Sequence, residues 1–450
     1  GVWAARGGVG GVGGGGPLRL GGSVVRGWGG PGWSLASGRL RRAREGWVGV
    51  VSPSQKFRGP GTRPAATLTS MDIEIHAAPA PSTEATETDQ RLTHALFAAM
   101  NSLDEEWVQD AYGHDDFLQP VEVYVKRYAR QRYTRKHLWV AYPAGSDPLT
   151  ADPGRAVGYA QVNLPLEDNT HLCEVSVVVR RALRRHGVAT ALAGAVEEGL
   201  RGSGRTTVGC WFPNPLLEPD HPGALAPKTG VGLVDRTQPG AAWLLGLGFE
   251  LEQGERYSIL TIPEGRASWL AEIGRLRAAA AETAGPGYDV VQWSGITPEQ
   301  WRDRMAVLHT RMSVDAPSAG FDFREEKWDA DRVVHLGEVM LEGDHSNAFT
   351  AIRHVPTGEL VAYTELQWPN TKPHAVYQED TLVHGEHRGH RLGMLAKAAN
   401  LEYLLAANPR AARIHTWNAA ENRFMLDINE ALGFRPAAIE GAWQKVVEAM

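Results

Sequence analysis

An internal repeat constrains the fold more than any other feature. From residue 72 the hydrophobic pattern reads strand, helix, helix, three strands, helix, strand, helix, strand, and from residue 288 the same order begins again. In the first half, short apolar or alternating runs predict strands at 72–76, 137–142, 156–164, 171–179, 206–212 and 256–262. Helical spacing predicts helices at 89–101, where Leu92, Leu96, Phe97 and Met100 share a face, and at 121–129, 187–200 and 241–249. In the second half the strands fall at 288–293, 347–354, 360–368, 375–383 and 413–418, with a last one through Trp443. The helices fall at 297–311, 324–342, 393–407 and 421–432, the first of them opening on a capping-box-like Thr297-Pro298-Glu299-Gln300. The Ala-rich run 264–283, closed by Gly-Pro-Gly at 285–287, reads as a helical connector. Repeats this long imply duplicated domains and not a solenoid. The expected units are 71–263, a linker 264–287, and 288–450, with the Pro/Gly-rich stretch 213–240 as a long loop, either a lid or an insertion.

Charge separates these units from what precedes them. Residues 1–70 hold nine Arg, one Lys, one acidic residue and 20 of the 51 Gly, a net +9, which leaves −15 on the rest of a chain whose formal charge is −6. Low-complexity glycine sequence has little side chain to bury, so 1–70 is expected to be a disordered or mis-assigned leader, with Met71 the expected start of translation. An acidic body is a poor nucleic-acid binder, so no nucleic-acid partner is expected. Two cysteines, Cys173 and Cys210, exclude a disulfide scaffold and fit a reducing, cytoplasmic setting. No run of 18 apolar residues exists, so no membrane partner is expected.

Chemistry concentrates at one place in each repeat, a Gly/Arg-rich turn between a strand and a helix. In the first it is Val179, then Arg184-Arg185-His186-Gly187-Val188-Ala189; in the second it is Val383, then Arg388-Gly389-His390-Arg391-Leu392-Gly393. Small residues there leave backbone N–H groups pointing outward at a helix start, the helix dipole adds positive potential, and arginines add charge, which together suit a pyrophosphate. Both turns resemble the R/Q-x-x-G-x-G/A signature of the GNAT acetyltransferase superfamily, which binds the pyrophosphate of acetyl-CoA. Arg184, Gly187 and Ala189 match it fully; Arg388 and Gly393 match, but Arg391 replaces the middle glycine and is expected to keep φ below zero. The resemblance covers nearly all of 72–450 as two tandem copies, an arrangement similar to the mycothiol-synthase-like branch. It implies an α/β (α+β) fold of two tandem domains, each a mixed, mostly antiparallel sheet flanked by helices. It also implies acetyl-CoA as co-substrate, no metal, and transfer to a small-molecule amine by a monomer or homodimer.

A second block, Asn418 to Asn422 followed by Asn429 and Gly433-Phe434, resembles the family's coenzyme-contacting segment. Asn422 fits a ligand contact or a helix cap equally well. Only Trp243-Leu244 and Gly248-Phe249 of this block persist in the first copy, so the second copy is expected to be the active one. Its general base is sought on 376–383, where Glu379 and Asp380 should alternate in direction so that only one, Glu379 for preference, faces the cleft. Glu365 is a third candidate, and Glu174 has the comparable place in the first copy. The family's general acid, often a Tyr, falls at Asn429 in the second copy and Leu244 in the first. Neither protonates a thiolate, which leaves Tyr377, Tyr403, His415 or solvent. A non-catalytic acetyl-CoA sensor is the alternative reading. Cys210 is expected to be a buried inert thiol, and His384, His387 and His390, all in one loop, are not expected to form a metal site.

Overall fold

Alternation along each strand decides which helix layer it packs against. The structure, a computed structural model, describes residues 71–450; the expected leader 1–70 lies outside the described residues. The first copy runs β1 (Ile73–Ala77), α1 (Glu87–Tyr112), α2 (Val121–Ala129), β2 (Thr134–Pro143), β3 (Gly158–Pro165), β4 (Leu172–Val179), α3 (Val188–Gly199) and β5 (Thr207–Asn214). The loop at 213–240 carries only a two-residue hairpin, β6 (Ala224–Leu225) and β7 (Val234–Asp235), before α4 (Pro239–Gly246) and β8 (Glu250–Thr261). After α5 (Arg266–Ala284) the second copy runs β9 (Tyr288–Trp293), α6 (Arg302–Asp315), α7 (Ala330–Glu342), β10 (His345–His354), β11 (Leu360–Pro369), β12 (Ala375–Val383), α8 (Leu392–Ala407), β13 (Arg413–Ala419), α9 (Arg423–Leu432) and β14 (Arg435–Val446).

Two helix predictions shift. Thr297 caps nothing: Pro298 opens a short 3-10 turn, and α6 starts at Arg302 without a side-chain cap. Residues 324–329 stay outside α7, which begins after Asp329 caps Arg332 N. No helix among the described residues is long and apolar enough to cross a membrane.

Leu138, Val140 and Tyr142 of β2 face α1 and α2, while Trp139 and Ala141 face α3. The second copy repeats this layering, with α6 on one face and α8 on the other. The connector α5 lies over α8, burying Ile273 and Ala280.

The two copies share a single twelve-stranded sheet, in the order β1-β2-β3-β4-β5-β14-β8-β13-β12-β11-β10-β9. The final strand of each copy is exchanged. β14 pairs with β5 of the first copy, and β8 pairs with β13 of the second. The two exchanged strands pair antiparallel with each other. Parallel pairing of β4 with β5 ends at Glu174–Gly209, and that of β12 with β13 at Tyr377–His415, so each pair splays toward its C-terminal end.

The segment between the first two helices of each copy crosses to the other. In the second copy, Pro317 accepts from Gln253 Nε2 at 3.2 Å, and Arg332, fully buried, meets Asp168 at 2.8 Å. In the first copy, Asp116 enters a closed hydrogen-bond ring. Its N–H donates to His114 Nδ1 (3.4 Å), His114 Nε2 donates to Tyr257 Oη (3.0 Å), Tyr257 donates to His415 Nδ1 (2.8 Å), and His415 Nε2 donates back to the Asp116 carboxylate (2.8 Å). Arg413 binds the same carboxylate through two nitrogens, at 2.6 and 2.5 Å. Burial alone would raise the Asp116 carboxyl, but the hydrogen bonds from His415 and Arg413 hold it well below the carboxylate range.

Two outcomes follow from this junction. Asp116→Ala removes the partner of buried His415 Nε2 and of the partly exposed Arg413 guanidinium, and should cost about 3 kcal/mol in denaturant unfolding, the low end for a broken buried pair because solvent reaches Arg413. Burial, followed by the His415 charge, lowers His114 to about 4. The folded state therefore binds fewer protons than the unfolded state between about pH 6.5 and 4, so this contribution is present above pH 6.5 and is lost as pH falls through that window. Stability measured from pH 7 to 4 should fall less in His114→Gln than in the parent.

Candidate active site

The two turns have nearly the same backbone. Each holds two left-handed residues, Arg185 (φ 66°) and Gly187 (φ 84°) in the first copy, Gly389 (φ 88°) and Arg391 (φ 55°) in the second. Arg391 thus lies where Gly187 lies, against the expectation of a negative φ: the turn requires a left-handed residue before the helix, and the side chain tolerates it by standing in solvent. That conformation costs a non-glycine residue roughly 1–2 kcal/mol. Gly187 and Arg391 are the N-caps of α3 and α8, and no side chain caps either helix. The first N–H groups of both helices are therefore free for an anion.

The leading arginines have a structural task at the strand end. Arg184 Nε donates to Val179 O at 3.2 Å, and its terminal nitrogen lies 3.8 Å from Asp110 of α1. Arg388 repeats the arrangement with Val383 O (3.2 Å) and Asp315 of α6 (3.0 Å). Both guanidinium groups brace the strand end against the first helix. Arg180 and Arg181 are similarly held by Glu106 and Asp110. Arg185 is exposed and no described carboxylate holds it, so it is the cation of this turn left for a ligand. His186 turns back to the Arg184 carbonyl at 2.8 Å.

A cavity of about 890 Å³ opens in the first copy. It runs from Arg184, Arg185, Gly187, Val188 and Ala189 along β4 (Ser176 to Val179) and β5 (Cys210 to Asn214), with α4 as a further wall. The splay makes it. Val175, Val177 and Val179 are only half-buried because β5 has left their side. Leu244, at the position expected for a general acid, lines it, and burial pushes the Cys210 thiol up to about 12, leaving it inert. Asp110 is the one carboxylate in the lining. Glu174 is not part of it.

The second cleft is filled differently. Gly393 is buried, and a Cβ on it would lie 3.2 Å from Ile428 of α9. Asn418 accepts from Asn429 Nδ2 at 2.6 Å, both buried, while Asn422 caps α9 by accepting from Met425 N at 3.3 Å, the capping role of its two readings. Lys397 lies buried on α8, reaching Thr381 Oγ1 at 3.4 Å, and burial lowers its ammonium to about 7. Nothing in the repeat pattern signalled it, because Ala193 holds its place in the first copy.

The strand carboxylates do meet, for a reason the alternation rule missed. Thr364 pairs with Thr381 and Leu366 with Gln378, so Glu379 and Asp380 together oppose Glu365. This β-bulge breaks the strict alternation that would have sent Glu379 and Asp380 to opposite faces. Burial, then the Glu365 and Asp380 charges, raises Glu379 to about 8, and burial raises Glu365 to about 8. Tyr363 Oη donates to Asp380 at 3.1 Å. The other acid candidates are engaged: Tyr377 donates to Asp116 O, His415 belongs to the closed ring, and Tyr403 contacts Ser294. His384, Glu386 and His387 bring ligand atoms within 4.8 Å of one another, but the His384 ring accepts from Glu386 N and His387 Nδ1 bonds Tyr288, so both rings already serve the turn.

Residues 101–214 match the model of the acetyltransferase (GNAT) family. Among solved structures, a tandem GNAT protein from the clavulanic acid biosynthesis pathway is 22% identical, covers 83% of this chain and 98% of its own, and superposes with a TM-score of 0.59. A GCN5-related N-acetyltransferase from Sphaerobacter thermophilus is 12% identical over 83% of this chain and 96% of its own, with a TM-score of 0.46. No curated protein matches the chain. With the splayed strands and uncapped helix starts above, these findings assign a GNAT-family domain to residues 101–214 and show that the chain has the fold of a tandem GNAT protein.

Proposed function

We propose that the protein is an acyl-CoA-dependent acyltransferase whose first copy holds the thioester, with a small amine as the expected acceptor. The cavity in the first copy carries this reading: it joins an uncapped helix N-terminus to a slot between diverging strands. The sequence favours the second copy for its fuller Asn block; there Asn429 Nδ2 donates to Asn418 and Asn422 caps α9, which leaves Asn429 Oδ1 as the unpartnered polar atom of the three residues.

In this reading, N–H groups at the start of α3 and the Arg185 guanidinium hold the pyrophosphate. The pantetheine arm follows the open edge of β4 between Val177 and Val179, and the thioester lies toward the closed end of the splay. Attack by the acceptor nitrogen forms the new C–N bond and expels the thiolate. Leu244 supplies no proton and Asp110 is engaged by Arg181 and Arg184, so water takes the amine proton and returns one to the thiolate. Catalysis then rests on holding the two reactants together. The same two facts favour, as the second reading, a binding protein that senses acyl-CoA without turnover.

Arg185→Ala should weaken coenzyme A binding about tenfold by calorimetry with little change in thermal stability, as expected when one charge-assisted hydrogen bond is lost. Release of free thiol from acetyl-CoA across an amine panel separates enzyme from sensor. Glu379→Gln locates the reaction: turnover close to that of the parent agrees with a first-copy site. Collapse of turnover with intact coenzyme A binding would move the chemistry to the second copy.

A further inference from the structure

We infer that the first copy is shaped for an acyl group longer than acetyl, and that this chain lies on the α1 side of the sheet against Trp107, Ala111, Trp211 and Ala438. The inference rests on reading the cavity as the acyl-CoA site.

The cavity passes through the sheet and does not end at it. Its lining includes Trp243 and Leu244 on the α4 side and Trp107 and Ala111 of α1 on the other. Ala438 packs with Val108 of α1, and Trp211 stacks on Phe321 of the second copy at 5.0 Å, so both belong to the α1 face. A thioester held at the closed end of the splay would direct its acyl substituent through to that face. The volume, about 890 Å³, is generous for a pantetheine arm carrying two further carbons.

The walls on that side are indole faces and methyl groups. The Trp211 N–H is turned away to Glu255 at 3.3 Å. Asp110, the one carboxylate in the lining, is neutralised by Arg181 and Arg184. A cationic acceptor would find no free anion there, whereas a hydrocarbon chain would exchange water for apolar surface. The fold does not impose this character. Where the first copy has Val177, Phe212 and Leu244, the second has Thr381, Asn418 and Asn429, all buried. The same architecture holds polar side chains at these positions, so the apolar lining belongs to the first copy specifically.

The test is a chain-length series. The full chain is titrated with coenzyme A and with acetyl-, butyryl-, hexanoyl- and octanoyl-CoA by calorimetry. Kd should fall about two- to fourfold for each methylene that enters the slot, since a buried methylene contributes about 0.8 kcal/mol. Constant or weakening affinity from acetyl to octanoyl, with coenzyme A itself still bound, overturns the inference and leaves the reading of the cavity standing. Failure of coenzyme A and every thioester to bind overturns both. Ala111→Phe and Ala438→Leu place the chain: each fills the α1 side and should bring octanoyl-CoA down to the affinity of acetyl-CoA. Two variants guard against one that does not fold, which its melting curve would reveal. A folded variant that keeps the parent's affinity for octanoyl-CoA overturns the placement.

Discussion

β14, the end of the chain, lies between β5 and β8, and β8 lies between β14 and β13, so each copy completes the other's sheet. At the centre of this exchange Glu255 and Glu440 stand directly opposite each other, both buried. Burial, then the Tyr112 and Trp417 hydrogen bonds and the Glu255 charge, set the state of Glu440, and the balance raises it to about 8. A protonated Glu440 removes the like-charge repulsion that would otherwise part the strands. Trp211 donates to Glu255 and Trp417 to Glu440, one from each copy, which marks the local two-fold relation. The pairing has a functional consequence. The cavity of the first copy is partly walled by Ala437 and Ala438 of β14, a strand encoded more than two hundred residues after β5.

Sharing a sheet has let the clefts diverge. Both keep the splay, the uncapped helix start and the arginine that ties strand to first helix. Arg184 with Asp110 and Arg388 with Asp315 are the same device, an arginine of the turn tied to a carboxylate of the first helix. Everything that would touch a bound arm differs. The first cleft has Val177, Phe212 and Leu244 in its wall, whereas the second holds Lys397 and the Asn418–Asn429 pair. Only the second has the bulge that gathers Glu365, Glu379 and Asp380. Its opposite face is covered by the first copy's segment around Asp116 and Arg127, which meets His374, Tyr377 and His345. Duplication fixed the frame, and each site then answered to its own contents.

The element order, the duplication and both turns were legible because they depend on local spacing: period two for strands, period 3.6 for helices, glycine before a helix. What was not legible depends on neighbours distant in sequence. The strand exchange leaves no local mark, since β8 and β14 read as ordinary final strands of their own copies. The bulge needs two strands to be seen at once, and without it Glu379 and Asp380 could only be read as alternating. Asp116 sits in a polar turn, and its ring with Tyr257 and His415 spans almost three hundred residues. The sequence leaves Asn422 open between ligand contact and helix cap, and its bond to Met425 N, which shows the cap, depends on local geometry that composition does not carry. The Asp110–Arg184 brace has its counterpart in Asp315 and Arg388, but the two spacings differ by one residue, so the repeat did not expose it.

Charge at the turns illustrates the difference between counting residues and placing them. Arg180, Arg181, Arg184 and Arg185 together suggest a strongly positive cradle on an acidic body. Glu106 and Asp110 offset two of the first three charges, and all three side chains fasten the end of β4 to α1. That fastening holds β4 in place while β5 diverges, so these arginines contribute to the slot's shape and leave one net positive charge beside it. The pull on an anion comes from the start of α3, where free N–H groups converge, and from Arg185, whose own left-handed backbone directs its side chain into solvent. In the proposed reading, an anion site made of backbone dipoles and an exposed arginine needs no broadly basic surface, and so it is compatible with the net acidity of the chain around it.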